Sequence, residues 1–318
     1  MPLFQKSPFP LSEPFCLINR LPELRDDDII IYHFASKCAL FDLIKTLPGK
    51  KILRYHNVTP PEFFAPYDKV AENVTSEGLK QVAELKKYTD YVLAVSEFNK
   101  SDLIRMGYTC KIDVLPILIK FDDYEQTPSA KVIEKYADGI KNIVFVGRVA
   151  PNKKFEDLIK SFAYYQKTYG EHARLILVGS YSEEDKYYQE LKRIEKELNV
   201  KNVIFTGHIP FTDILAYYKV ADVFLCLSEH EGFCVPLVEA MYFNVPIIAY
   251  ASSAIPDTLG GSGLLLDSKE PELVANALNQ LLTSETKREG LQKREKERLK
   301  NFAGNKIGQE LLNYIKNI

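Results

Sequence analysis

Two glutamates eight positions apart, Glu231 and Glu239, sit in the run Ser228-Glu229-His230-Glu231-Gly232-Phe233-Cys234-Val235-Pro236-Leu237-Val238-Glu239-Ala240-Met241. Carboxylates accept hydrogen bonds from hydroxyls, so such a pair suits a hydroxyl-rich ligand. Pro236 fits the first position of a helix, which predicts a helix through Met241 with Glu239 in its first turn. Gly232 and Pro236 argue against one continuous helix across both glutamates; a loop carrying Glu231 turns into a helix carrying Glu239. The N–H groups of Cys234, Val235 and their neighbours Gly232 and Phe233 then point between two carboxylates, and a helix N-terminus with free N–H groups is an anion site. Hydroxyl-bearing ends on either side of a diphosphate describe a nucleotide sugar. The plainer reading of the same pair puts Glu239 at a helix terminus and Glu231 in a solvated loop.

A second cluster lies in Phe145-Val146-Gly147-Arg148-Val149-Ala150-Pro151-Asn152-Lys153-Lys154. Arg148 and Lys153, five apart across a proline-containing loop, can converge on one anion, the first as a fork and the second as a point charge. Two solvated cations are the alternative. Gly179 and Gly207 each close an apolar run, where a missing Cβ lets a ligand or backbone come close; ordinary turns would use them equally well.

These residues need elements to place them. Short β-branched runs alternate with helix-length amphipathic stretches, the signature of parallel sheets covered by helices, so the fold class is α/β. Strands are predicted at 29–34, 51–56, 91–96 and 111–115 in the first half, with helices at 39–46, 77–87 and 99–106. Six more strands follow at 142–147, 174–179, 202–206, 222–227, 246–250 and 263–267, enough for a doubly wound sheet. Residues 121–139 read as a connector, 287–297 as a solvated charged helix, and Ile307, Leu311, Leu312 and Ile315 as a last amphipathic helix. The domains expected are 1–121, a linker at 122–140, 141–302, and a helix at 303–318 returning to the first half. The first half has at most four strands and no glycine before Gly49.

The 318 residues suit two domains. At 46% hydrophobic and 26% charged, with a net charge of −2, the chain is globular and has no basic field for nucleic acid. Cys16, Cys38, Cys110, Cys226 and Cys234 are odd in number and scattered, implying neither disulfides nor a zinc site, and a cytoplasmic setting fits. No apolar run reaches the ~18 residues of a membrane span, and residues 1–25 lack a signal-peptide core. The sequons at Asn57 and Asn73 are then accidental. Neither a Gly-x-Gly-x-x-Gly fingerprint nor a phosphate-loop motif is present. Peripheral membrane contact stays open, although residues 41–87 hold only eight Lys/Arg against six Asp/Glu.

Taken in order, Gly147-Arg148 with Lys153, Leu177-Val178-Gly179, Phe205-Thr206-Gly207, Ala221-Asp222-Val223, Glu231-Gly232-Phe233, Val235 through Met241, Pro246, Asp257 and Gly263-Leu264 resemble the donor half of glycosyltransferase family 4, retaining enzymes of the two-domain GT-B fold. The resemblance implies two Rossmann-like parallel-sheet domains facing a cleft, the N-terminal one shortened. It places the donor sugar on Glu231, the ribose on Glu239 and the diphosphate on Arg148 and Lys153, and needs no metal or cofactor beyond a nucleoside-diphosphate sugar. Front-face substitution follows, because no carboxylate nucleophile is evident; the leaving phosphate takes the acceptor's proton. Cys234 and Asn244 stand where the family commonly has glycine, and Asp257 where it has glutamate. Tyr55-His56-Asn57-Val58-Thr59-Pro60 and Val95-Ser96-Glu97 resemble strand ends of the acceptor half. His56 would there meet a sugar hydroxyl, or serve a structural role. The implied activity is hexosyl transfer to a glycan or lipid-linked acceptor in cell-surface polysaccharide synthesis. A donor-binding module without turnover and a GT-B nucleotide-sugar epimerase are the other classes weighed. Glu231→Ala is expected to abolish transfer and, for a loop carboxylate, to leave the fold intact.

Overall fold

The computed structural model describes residues 23–318; Cys16 lies outside them. Strands β1 (Ile29–Phe34), β2 (Lys50–Tyr55), β3 (Tyr91–Ala94) and β4 (Lys111–Val114) form one parallel sheet in chain order. Strands β5 (Lys141–Val146), β6 (Ala173–Val178), β7 (Val203–Phe205), β8 (Val223–Cys226), β9 (Ile247–Tyr250) and β10 (Leu264–Leu266) form a second, ordered β10-β9-β8-β5-β6-β7 and parallel throughout. The helices are α1 (Phe41–Thr46), α2 (Lys69–Leu85), α3 (Glu97–Arg105), α4 (Ala130–Tyr136), α5 (Phe155–Tyr169), α6 (Lys186–Glu197), α7 (Phe211–Val220), α8 (Val235–Tyr242), α9 (Ile255–Leu259), α10 (Pro271–Thr283), α11 (Glu285–Leu299) and α12 (Gly304–Lys316). None of the described helices is long and apolar enough to cross a membrane.

The alternation of side chains along a strand explains how the first sheet is covered. Tyr32, Phe34, Leu53, Tyr55, Val92 and Ala94 face Val82 and Leu85 of α2 and Leu103 of α3. Ile52, Tyr91 and Leu93 face the other way, onto Ile307 of α12. The last helix thus packs on the first sheet, giving its apolar stripe the partner it needs. In the second sheet Phe145 meets Phe155 edge to face with ring centres 5.1 Å apart, inside a core that also holds Leu158, Phe162 and Phe224.

Strand order reverses where β5 lies beside β8, paired through Ile143 with Val223 and Val144 with Phe224. At such a reversal successive crossovers depart to opposite faces, leaving a crevice at the carboxyl ends of the two strands. The loops carrying Arg148 and Lys153, and Glu231, are the ones that leave β5 and β8.

Three segments differ from the sequence expectation. Helix α2 starts at Lys69, eight residues before the predicted 77, because Asp68 caps it: its Oδ1 accepts from Val70 N at 2.9 Å and Ala71 N at 3.0 Å. Within 121–139, read as a connector, α4 packs Val132 and Tyr136 against Ala216 and Tyr217 of α7; two buried residues in a seven-residue helix are too few to show as periodicity. Helix α11, read as solvated, buries Leu291 and, completely, Glu295. Glu295 Oε1 accepts from the N–H of Ile247, the first residue of β9, at 3.0 Å. Arg298 of the same helix donates through Nε to Thr258 O at 3.0 Å and through Nη2 to Asp257 O at 2.5 Å.

Burial pushes the Glu295 carboxyl from 4.5 up to about 8, only partly offset by the Ile247 N–H. A carboxyl raised in the folded state contributes stability that is complete below pH 4.5 and is lost as pH rises toward 8, since the unfolded chain releases its proton first. The difference between wild type and Glu295→Gln isolates this group: the variant should gain on wild type by a few kcal/mol from pH 5 to pH 8 in chemical denaturation. A constant difference across that range contradicts the assignment.

Candidate active site

The two loops at the reversal are tied together at Asn152 and Lys153. Asn152 donates through Nδ2 to His230 O at 2.9 Å, and its own carbonyl accepts from Glu229 N at 2.9 Å. Lys153, next in the chain, thereby meets Glu231 in a direct hydrogen-bonded ion pair between Nζ and Oε1. Glu231 is 7% exposed, and its N–H donates to Ser253 Oγ at 2.8 Å. Burial presses the Lys153 ammonium's pKa down, but the charge and hydrogen bond of Glu231, with smaller contributions from Cys234 and Cys226, together outweigh it and the pKa ends raised, so the lysine is held cationic. Arg148 stays exposed at the mouth. A cavity of about 240 Å³ opens here, lined by His56, Arg148, Lys153, His230, Glu231 and Gly232 among others.

His56 follows β2 directly and continues its ladder, its N–H donating to Phe34 O at 2.9 Å. Its Nε2 lies 2.8 Å from Nδ1 of His33, with the rings stacked at 5.0 Å between centres. Burial, then the neighbouring Arg54 charge and His33, push His56 down to about 4, and burial with Arg54 lowers His33 as well. Both imidazoles are neutral at physiological pH and share one proton in an N–H···N bond.

The halves meet across this cavity through a directed chain. His230, pushed down to about 4 by burial and then by the Lys153 charge, is neutral. Its Nε2–H donates to Asn57 Oδ1 at 2.6 Å, Asn57 Nδ2 donates to Asn99 Oδ1 at 2.7 Å, and Asn99 Nδ2 donates to Gly232 O at 3.3 Å. A Cβ on Gly232 would stand 2.4 Å from His56 O, so only glycine lets the backbones approach this closely. Asp257 Oδ2 accepts from Phe98 N at 2.9 Å in the first turn of α3, a cap delivered from the other half.

The other sequence candidates fall into place differently. No N–H of Gly232, Phe233, Cys234 or Val235 has a protein acceptor among the described residues. Cys234 adopts φ +67° and Asn244 φ +59°, the left-handed backbone that favours glycine; a side chain there costs ~1 kcal/mol. Glu239 lies beyond the first turn of α8, not in it as expected. It does not line the cavity: its two oxygens accept from Tyr124 OH at 2.9 Å and Tyr218 OH at 2.7 Å. Gly179 and Gly207 also lie off it, bridged to each other, and a Cβ on Gly179 would be 2.0 Å from Gly147 O. The close approach at Gly179 is therefore between backbones. Among the described residues no three His, Cys, Asp or Glu side chains gather as a metal site needs.

His33, Asn57, Asn99 and His230 were not singled out from the sequence. His230 lay inside the glutamate run and Asn57 beside His56, but their pairing joins residues 173 positions apart, beyond any local pattern. His33 carried one signal: it and His56 stand at the carboxyl ends of neighbouring parallel strands.

Residues 128–298, more than half of the chain, match the family glycosyl transferases group 1. O-antigen chain mannosyltransferase B of Escherichia coli is 26% identical over 274 residues, covering 84% of this chain and 68% of that protein. The GDP-mannose-dependent alpha-(1-6)-phosphatidylinositol monomannoside mannosyltransferase of Mycolicibacterium smegmatis is 27% identical over 207 residues, 61% of this chain and 53% of that one; the chain spans about half the length of that relative. Among solved structures, sucrose-phosphate synthase from Thermosynechococcus elongatus superposes with a TM-score of 0.72 at 21% identity, covering 91% of this chain and 73% of that one. The fold is thus GT-B, and the matched segment takes in both loops at the strand reversal: the chain belongs to the group 1 glycosyl transferases and is a glycosyltransferase.

Proposed function

We propose that this enzyme transfers a mannosyl residue from GDP-mannose, with retention of configuration, to a glycan or lipid-linked acceptor of a cell-surface polysaccharide. The observation that carries the reading is the Lys153–Glu231 pair, buried at the strand reversal beside four unoccupied backbone N–H groups. Relatives acting on O-antigen and using GDP-mannose direct the choice of sugar.

Each group has a task in this reading. Lys153, Arg148 and the N–H groups of Phe233, Cys234 and Val235 receive the diphosphate and stabilise the charge that grows as it leaves. Glu231 keeps Oε2 for a donor-sugar hydroxyl while Oε1 orients Lys153. Glu239 retains lone pairs for the ribose beside its two tyrosines, and neutral His56 meets a sugar hydroxyl. The bond from the anomeric carbon to the phosphate oxygen breaks, the acceptor oxygen bonds the same face of that carbon, and its proton passes to the departing phosphate.

The burial of Glu231 corrects the expectation that its removal spares the fold. Glu231→Ala strands a mostly buried ammonium and should cost about 3 kcal/mol of stability, as well as about 100-fold in kcat. Glu231→Gln, which keeps the shape, should retain more stability and lose similar activity; wild-type turnover in either variant contradicts the role. Lys153→Ala should weaken GDP binding tenfold or more by calorimetry, and unchanged affinity removes Lys153 from the diphosphate site. Because His56 is already neutral, kcat/KM should show no inflection near pH 6.5 that disappears in His56→Asn. Such an inflection would show a histidine that titrates in the site.

A further inference from the structure

A second cavity, of about 310 Å³, lies between the first sheet and α12. Its walls are Ile31, Leu93, Ile117, Leu118, Ile307 and Leu311, with His33, Arg54 and His56 as polar exceptions. His56 lines both this cavity and the one holding Lys153 and Glu231, so an occupant here reaches the reaction centre past one imidazole.

Arg54 is the anomaly. It is 7% exposed and forms no ion pair with any described carboxylate. Burial pushes its pKa down to about 10 with no acidic partner to restore it. Its Nη1 donates to Leu115 O at 2.5 Å, with Leu93 O and Ala94 O each at 3.4 Å, and Nη2 to Pro116 O at 2.8 Å. A guanidinium has five N–H donors; Nε–H and one Nη2–H have no acceptor among the described residues. Those two hydrogens form one edge of the guanidinium, the fork that fits two oxygens of a phosphate. A buried cation without a counterion is costly, and an anionic ligand removes that cost.

The spacing adds a constraint. Arg54 and His56 are two residues apart on one strand, hence on the same face and roughly 6.6 Å apart along it, about the span of one pyranose ring. Beyond Arg54 the lining is aliphatic and opens at Leu118, 54% exposed, near Ile31, 37% exposed.

Building on the transferase reading above, we propose that this cavity is the acceptor site and that the acceptor is a saccharide joined through a phosphate to an apolar chain. The sugar hydroxyl lies at His56, the phosphate on the open edge of Arg54, and the chain runs along Leu118 and Leu311.

The test compares three acceptors with GDP-mannose as donor and the full chain as enzyme: decyl mannosyl phosphate, methyl mannosyl phosphate and decyl mannoside. The first should exceed each of the others at least tenfold in kcat/KM. Arg54→Lys, which loses the fork, and Leu118→Asp, at an exposed position that tolerates substitution, should each bring that ratio down at least fivefold, and decyl phosphate should inhibit competitively against the acceptor. Equal use of the three acceptors, or variants that keep the wild-type ratio, overturns the inference while leaving mannosyl transfer standing. Self-association abolished by Leu118→Asp without any change in acceptor ratio assigns the aliphatic rim to a second copy and likewise overturns it. No GDP release with any acceptor, together with no GDP-mannose binding by calorimetry, overturns the transferase reading itself.

Discussion

The site depends on one buried ion pair at the point where strand order turns. Taking a carboxylate and an ammonium out of water costs several kcal/mol for each, and mutual attraction repays this only when geometry is fixed. Asn152, in the loop after β5, fixes it by holding the loop after β8 twice, through its side chain to His230 O and through its main-chain carbonyl to Glu229 N. The sheet order supplies the rest, because only the reversal between β5 and β8 brings these two loops side by side. With Lys153 held cationic beside the Glu231 side chain, the free N–H groups at the start of α8 extend one region of positive potential toward a carboxylate.

Closure of the two halves over this region uses neutral groups. His230, Asn57 and Asn99 pass hydrogen bonds in one direction to Gly232 O, and such a chain requires His230 to keep its proton on Nε2. Burial and Lys153 enforce the neutral form. The Lys153 charge that pairs with Glu231 thus adds to burial in keeping neutral the residue that joins the halves.

Much of this was legible in the sequence where local rules operate. All ten strands were located to within two residues, because buried parallel strands are short, apolar and bounded by turns. The loops at the ends of β5 and β8 stood out through Pro151, Gly232 and Pro236. What local rules do not encode was missed: the Asp68 cap that starts α2 early, the two-residue footing of α4, and the fully buried Glu295, whose carboxyl serves β9 from a helix that reads as pure charge. The same holds for the site. Arg148, Lys153, His56 and Glu231 line one cavity, whereas Glu239 turns to Tyr124 and Tyr218, one of them from the segment read as a mere connector. Tyr124 lies 115 residues from Glu239 in the chain, and a partner so distant leaves no periodic trace.

The most direct measurement is a crystal structure of the enzyme with GDP-mannose bound. The diphosphate should lie within about 3 Å of Lys153 Nζ and of the main-chain nitrogens at Cys234 and Val235, with a mannosyl hydroxyl on Glu231. A nucleotide sugar seated elsewhere, with the Lys153–Glu231 pair and those nitrogens untouched, would contradict the account.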